Sequence, residues 1–156
     1  MRVTSEVDFP APAAAVWPLL CDSQMTLPHR CPVFCLGTPR PVQCRLPDGV
    51  GEAGASRECM AVEGSVQQEI TLWEPPHRLV FRMVGTDLCQ PHVCAAVEER
   101  FELSSTPSGG TTVTRSTHVS MRPGPRRLPT PGVYVGLKSV HRYVFRNWRD
   151  TLMIAA

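Results

Sequence analysis

All 16 prolines of this chain lie within its first 131 residues. From Gly132 to Ile154 there is none, and Val133, Leu137, Val140, Val144, Trp148 and Leu152 recur at spacings of three and four. That period predicts an amphipathic helix of about five or six turns. Lys138, Arg142, Arg146 and Arg149 fall mostly off its apolar stripe. Immediately upstream, the stretch from Pro123 to Pro131 holds four prolines and reads as a loop.

The segments before this helix alternate with the period of strands. Val3, Ser5, Val7 and Phe9 share one face, and Thr4, Glu6 and Asp8 share the other, as in a half-buried strand. Pro10 and Pro12 end it, and Pro12 suits the first turn of a short helix over Ala13 to Cys21. Pro18 is expected to kink or shorten that helix. Residues 28 to 50 are rich in Pro and Gly, and a short irregular strand region is expected between Val33 and Arg45. Arg57 to Val62 and Ser65 to Trp73 read as strands joined at Glu63-Gly64, and Glu74-Pro75-Pro76-His77 as a turn into a strand over Arg78 to Val84. Val93 to Leu103 and Thr111 to Met121 read as a hairpin around Thr106 to Gly110. The expected class is α+β: a curved antiparallel sheet of about six or seven strands, two short helices near the N-terminus, and the long helix across the sheet. Only that last helix is large enough to cover the apolar sheet face.

Composition removes several functions. The 156 residues fit one domain, 1–156, with no need of a metal or disulfide to fold. A net charge of +2 argues against a nucleic-acid partner, which calls for a basic stripe. No apolar run reaches the roughly 18 residues of a membrane span. The opening MRVTSEVDFP has no apolar signal core, so a cytoplasmic protein is expected, monomer or homodimer, with reduced thiols. Seven cysteines, an odd number, do not make a complete disulfide framework.

The order of elements and three sequence stretches resemble the START-like superfamily (SRPBCC, Bet v 1-like) and its polyketide cyclase/dehydrase-like branch. The stretches are Pro12 to Asp22 (PAAAVWPLLCD), Ile70 to Phe81 (ITLWEPPHRLVF) and Gly110 to Thr114 (GTTVT), followed by the terminal helix with Phe145, Trp148 and Leu152. The resemblance spans nearly the whole chain. It implies a helix-grip fold with an internal cavity for a small hydrophobic molecule. It implies no catalytic signature, because the superfamily includes cyclases, hydrolases and carriers alike. Pro18, and the cysteine- and proline-rich stretch from His29 to Cys44, depart from the pattern.

Polar residues on inward faces are the candidates for chemistry, since such cavities are apolar with a few placed polar groups. His141 lies one turn from Leu137 and Phe145, and Tyr134 lies two turns earlier on the same face. Together they could serve as base and acid on an enolisable ketone; the alternative is a core histidine satisfied by a hydrogen bond. Arg115 shares a face with Val113, Thr117 and Val119, and Glu99 with Val97, Phe101 and Leu103. That pair could bind a carboxylate or polarise a carbonyl, or form a structural ion pair. Phe81, Met83, Phe101, Val113, Leu137, Val144, Phe145 and Trp148 are expected to contact the ligand.

Two Cys/His clusters stand apart. His29, Cys31 and Cys35 form His-x-Cys-x3-Cys, and Cys89, His92 and Cys94 form Cys-x2-His-x-Cys. These are ligand types for Zn²⁺ or Cu⁺, and four would suffice if the two segments meet at the cavity mouth. The alternative is ordinary loop thiols. Three functions therefore stand: a polyketide-type cyclase, aromatase or dehydratase; a non-catalytic carrier of an apolar ligand; and a metal-dependent protein.

Overall fold

The computed structural model of the chain describes residues 1–28, 32–46, 51–88, 94–121 and 129–154. Strand β1 (Arg2–Phe9) leads into helix α1 (Ala13–Cys21). Strand β2 (Asp22–Gln24), a 3-10 helix over Pro32–Leu36 and strand β3 (Pro41–Arg45) follow. Then come β4 (Ser56–Ala61), β5 (Gly64–Glu74), β6 (Arg78–Thr86), β7 (Cys94–Ser105), β8 (Thr111–Met121) and helix α2 (Pro129–Ile154). All eight strands belong to one sheet in the order β1-β8-β7-β6-β5-β4-β3-β2, with every neighbouring pair antiparallel.

The architecture matches the expected helix-grip α+β fold with small corrections. The sheet has eight strands rather than six or seven. The extra strand, β2, is three residues long and exists through its pairing with β3; three residues carry no readable alternation. The segment expected as one irregular strand splits into the 3-10 helix and β3. Pro18 stays inside α1, and the amide of Asp22 closes its end on the Pro18 carbonyl. Helix α2 begins at Pro129, inside the stretch read as loop. Pro129 and Pro131 occupy its first turn, where backbone N–H groups have no intrahelical partner to lose.

Helix α2 and the inner sheet face make the core. Phe9, Trp17, Leu20, Ile70, Phe81, Phe101, Phe145 and Trp148 are all buried in one cluster. Trp148 stacks near Phe101 at 5.7 Å, and Phe145 meets Phe9 edge-on at 6.1 Å. Hydrogen bonds fix the helix laterally. The Tyr143 hydroxyl donates to the Leu27 carbonyl at 2.9 Å, and the Leu27 amide donates to Asn147 Oδ1 at 2.9 Å. The Trp148 indole N–H donates to Ser23 Oγ.

Cys44 and Cys59 sit opposite each other in the β3–β4 ladder, with Cα atoms 4.0 Å apart, and are joined as a disulfide. This corrects the expectation that all thiols stay reduced. The cause is register: an antiparallel ladder brings directly opposed residues to within about 4.5–5.5 Å, and neither spacing nor parity of cysteines reports it. Among the described residues, no helix is long and apolar enough to cross a membrane.

Deleting α2 exposes the whole inner sheet face. A chain ending at residue 128 is expected to be insoluble on expression; a soluble fragment with a cooperative unfolding transition would contradict this account of the core.

Candidate functional site

Between the sheet and α2 lies a cavity of about 820 Å³. Its walls are mostly apolar: Met83 and Val97 from the sheet, Leu137, Val140, Val144 and Trp148 from the helix. Leu36, Met60 and Val135 are exposed as well as cavity-lining, so they mark its mouth. There Gly136 lets α2 approach the chain after the 3-10 helix; a Cβ at this position would stand 2.8 Å from Thr38 Oγ1. The charged groups that line the cavity, among the described residues, are Arg57, Glu99 and Arg115.

Glu99 and Arg115 come together because β7 and β8 pair Phe101 with Arg115 and Glu99 with Thr117. Arg115 therefore stands diagonally across from Glu99, with its guanidinium 2.6 Å from Glu99 Oε1. The Thr117 hydroxyl donates to the same oxygen at 3.0 Å. Burial pushes the Glu99 carboxyl up, but the Arg115 charge and the bonds from Arg115 and Thr117 hold it below the usual carboxylate range. Glu99 is thus an ionised counter-ion, and a carboxylate with a lowered pKa is a weak base.

His141 is fully buried and does not line the cavity. Its Nε2 lies 2.8 Å from Thr117 Oγ1 and its Nδ1 lies 3.0 Å from Ser5 Oγ. Thr117 has one hydroxyl proton and gives it to Glu99. His141 Nε2–H must then donate to Thr117, and Nδ1 accepts from the Ser5 hydroxyl. Ser5 Oγ in turn accepts from Lys138 Nζ at 3.2 Å. A directed chain of hydrogen bonds thus runs from Lys138 through Ser5, His141 and Thr117 to Glu99. Burial, with the Arg115 charge, lowers the imidazole pKa to about 3, so the ring is neutral at physiological pH.

Arg57 was not among the candidates read from the sequence. It is buried on β4, donates to the Leu20 carbonyl at 2.8 Å, and stacks 4.4 Å above the Phe81 ring centre. The signal lay in strand alternation, because Arg57 shares a face with Cys59 and Ala61, both of which line the cavity. Burial lowers its pKa to about 10, which leaves it cationic at neutral pH.

Of the expected ligand contacts, Met83, Phe101, Leu137, Val144 and Trp148 line the cavity. Phe81, Val113 and Phe145 pack into the core cluster instead. Tyr134 is 43% exposed and does not line the cavity. The expected His–Tyr pair is therefore not assembled. His29, Cys31, Cys89 and His92 lie outside the described residues. Cys35 is exposed and Cys94 is buried; both are free thiols, with Cys94 pushed up by burial. Among the described residues no group of three or more His, Cys, Asp or Glu could hold a metal ion.

Two predictions follow from this network. Glu99→Gln leaves Arg115 buried without its counter-charge and is expected to cost about 3 kcal/mol in urea unfolding. Combining Glu99→Leu with Arg115→Met is expected to recover most of that loss; wild-type stability in Glu99→Gln would show that the pair is screened by solvent. The second concerns pH. In the folded state His141 takes up a proton only near pH 3, against about 6.5 when unfolded. The unfolded state binds more protons in between, so stability falls as pH drops from about 6.5 towards 3, by on the order of 3 kcal/mol between pH 7 and pH 4. Glu99, also held low, contributes in the same direction at the acid end. His141→Gln should flatten the limb between about pH 6.5 and pH 4; an unchanged limb would assign the acid loss to other groups.

Residues 1–152 match the family described as polyketide cyclase / dehydrase and lipid transport. No curated protein matches the chain at a significant level. Among solved structures, Ara h 8.0201 superposes with a TM-score of 0.69 at 17% identity, covering 98% of this chain and 97% of that one. The protein MLL2253 from Mesorhizobium loti gives a TM-score of 0.68 at 18% identity, over 100% of this chain and 99% of that one. A START superfamily protein from Mycobacterium smegmatis gives 0.69 at 11% identity, over 99% of each. With its family match over nearly the full length and an eight-stranded sheet gripping a terminal helix, the chain belongs to the polyketide cyclase/dehydrase and lipid-transport family and has the Bet v 1-like, START-like helix-grip fold.

Proposed function

We propose that the chain binds one small, largely apolar, ring-bearing molecule in the cavity between its sheet and α2. The observation that carries this reading is the cavity itself: about 820 Å³, walled by apolar side chains, with a few polar groups converging on it. A volume in this range is that of pockets which enclose drug-sized ligands. The family description names both cyclase/dehydrase and lipid-transport members, and both activities need such a cavity.

A second reading, ring-forming or dehydrating catalysis, is supported by the polar groups. An apolar polyketide-like chain would be folded by the wall, and the guanidinium groups would stabilise an enolate oxygen as it forms. In this reading Arg115 is the electrophilic group and Glu99 its positioning counter-ion. Acid–base roles for His141 and Tyr134 draw no support from their positions, one behind the cavity wall and the other exposed.

Thermal-shift screening tests the binding. An aromatic polyketide or comparable ring compound at about a hundred times its dissociation constant is expected to add about 2.7 kcal/mol of stability, while nucleotides and sugars add nothing measurable. Val140→Trp, which puts an indole into the cavity space from α2, should abolish the shift with the fold retained. Stabilisation by nucleotides alone would overturn the reading.

A further inference from the structure

Two cations and one anion face this cavity. Glu99 is engaged by Arg115, its only ion-pair partner among the described residues. Arg57 has no carboxylate within ion-pair distance among the described residues; it donates to the Leu20 carbonyl and stacks on the face of Phe81. Its Nε is buried with no acceptor among the described residues. Arg115 Nε is buried and unpaired in the same way. Unpaired buried polar groups and charges are expensive and persist where something else balances them.

The two guanidinium groups lie over neighbouring rings. Arg57 sits over the ring of Phe81 at 4.4 Å and Arg115 over the ring of Phe101 at 5.2 Å. Those two rings are themselves 5.9 Å apart. Both arginines therefore stand on one aromatic platform, at the part of the wall where Glu99 neutralises one of the two charges. The excess positive charge is built into the sheet and enclosed by apolar walls, which strengthens any interaction it makes.

From this we propose that the cavity selects ligands carrying an oxyanion, a carboxylate or an ionised enol or phenol, on the apolar body, and that Arg57 is the residue that binds it. The proposal rests on the cavity-binding reading above and names the ligand class for that same site. Arg115, held to Glu99, orients the anion from the side; Arg57 supplies the charge that no carboxylate balances among the described residues. A bidentate contact from Arg57 suits a planar carboxylate, and one donor from each arginine suits a single enolate oxygen.

The test uses two fluorescent probes that share a ring body and differ in charge: anilinonaphthalene sulfonate and uncharged phenylnaphthylamine. Their dissociation constants are measured on the full chain at neutral pH, and each is then displaced by naphthoate and by its methyl ester. The expected result is that the anionic member of each pair binds at least about tenfold more tightly than the neutral one. Arg57→Met should remove that preference while phenylnaphthylamine still binds, and Arg57→Lys should keep part of it. Equal affinities in the wild type, or tighter binding of the neutral members, would overturn the proposal and leave the cavity reading standing. An anionic preference that survives Arg57→Met would overturn the assignment to Arg57. Failure of all four compounds to bind would overturn the cavity reading itself. The wild-type comparison decides the ligand class even if Arg57→Met does not fold.

Discussion

The packing of α2 against the concave face of the sheet is the contact on which everything else in this molecule depends. The sheet presents Phe81, Phe101 and Leu103 on its inner side, and α2 answers with Val144, Phe145 and Trp148. The seal is tight at one end, where Trp148 and Phe145 meet Phe9 and Phe101. Towards the start of α2 the same two layers stand apart and leave the cavity. Core and cavity are therefore two ends of one interface, and any change in how α2 sits alters both.

That arrangement dictates where polar groups can be tolerated. Asn147, Tyr143 and the Trp148 indole spend their hydrogen bonds on the segment from Ser23 to Leu27 and so lock the helix in place. Lys138 and His141 tie the opposite side of α2 to β1 and β8. The charged groups that remain inside, among the described residues, are the Glu99–Arg115 pair and Arg57, which has no ion-pair partner there. A buried ion pair adds little net stability against an apolar replacement. This is the physical ground for proposing that the two buried arginines serve a ligand.

Much of this was legible in the residues. The proline-free 3.6-residue period located α2, and two-residue alternation located the central strands and put Glu99 and Arg115 on inward faces. Both signals are local, and both are strong because one face of each element is buried. The sequence was less informative where an element exists through its neighbour: β2 is held by β3, and the pairing of Cys44 with Cys59 follows from ladder register. The start of α2 was hidden because two prolines that forbid a helix interior are acceptable in a first turn.

Sequence alone thus determined the layer order, the identity of the covering helix and the family resemblance, because these follow from periodicity and from short motifs. It could not separate wall from core: Phe81, Val113 and Phe145 have the same inward phase as Phe101 and Val144, yet only the latter pair line the cavity. Phase tells which way a side chain points, and depth along the interface decides what it meets. Tertiary structure likewise took His141 behind the wall, left Tyr134 exposed and brought Arg57 to the same cavity as Glu99 across three intervening strand pairings. Such meetings depend on sheet register and curvature summed over many residues, which no local pattern in the chain records.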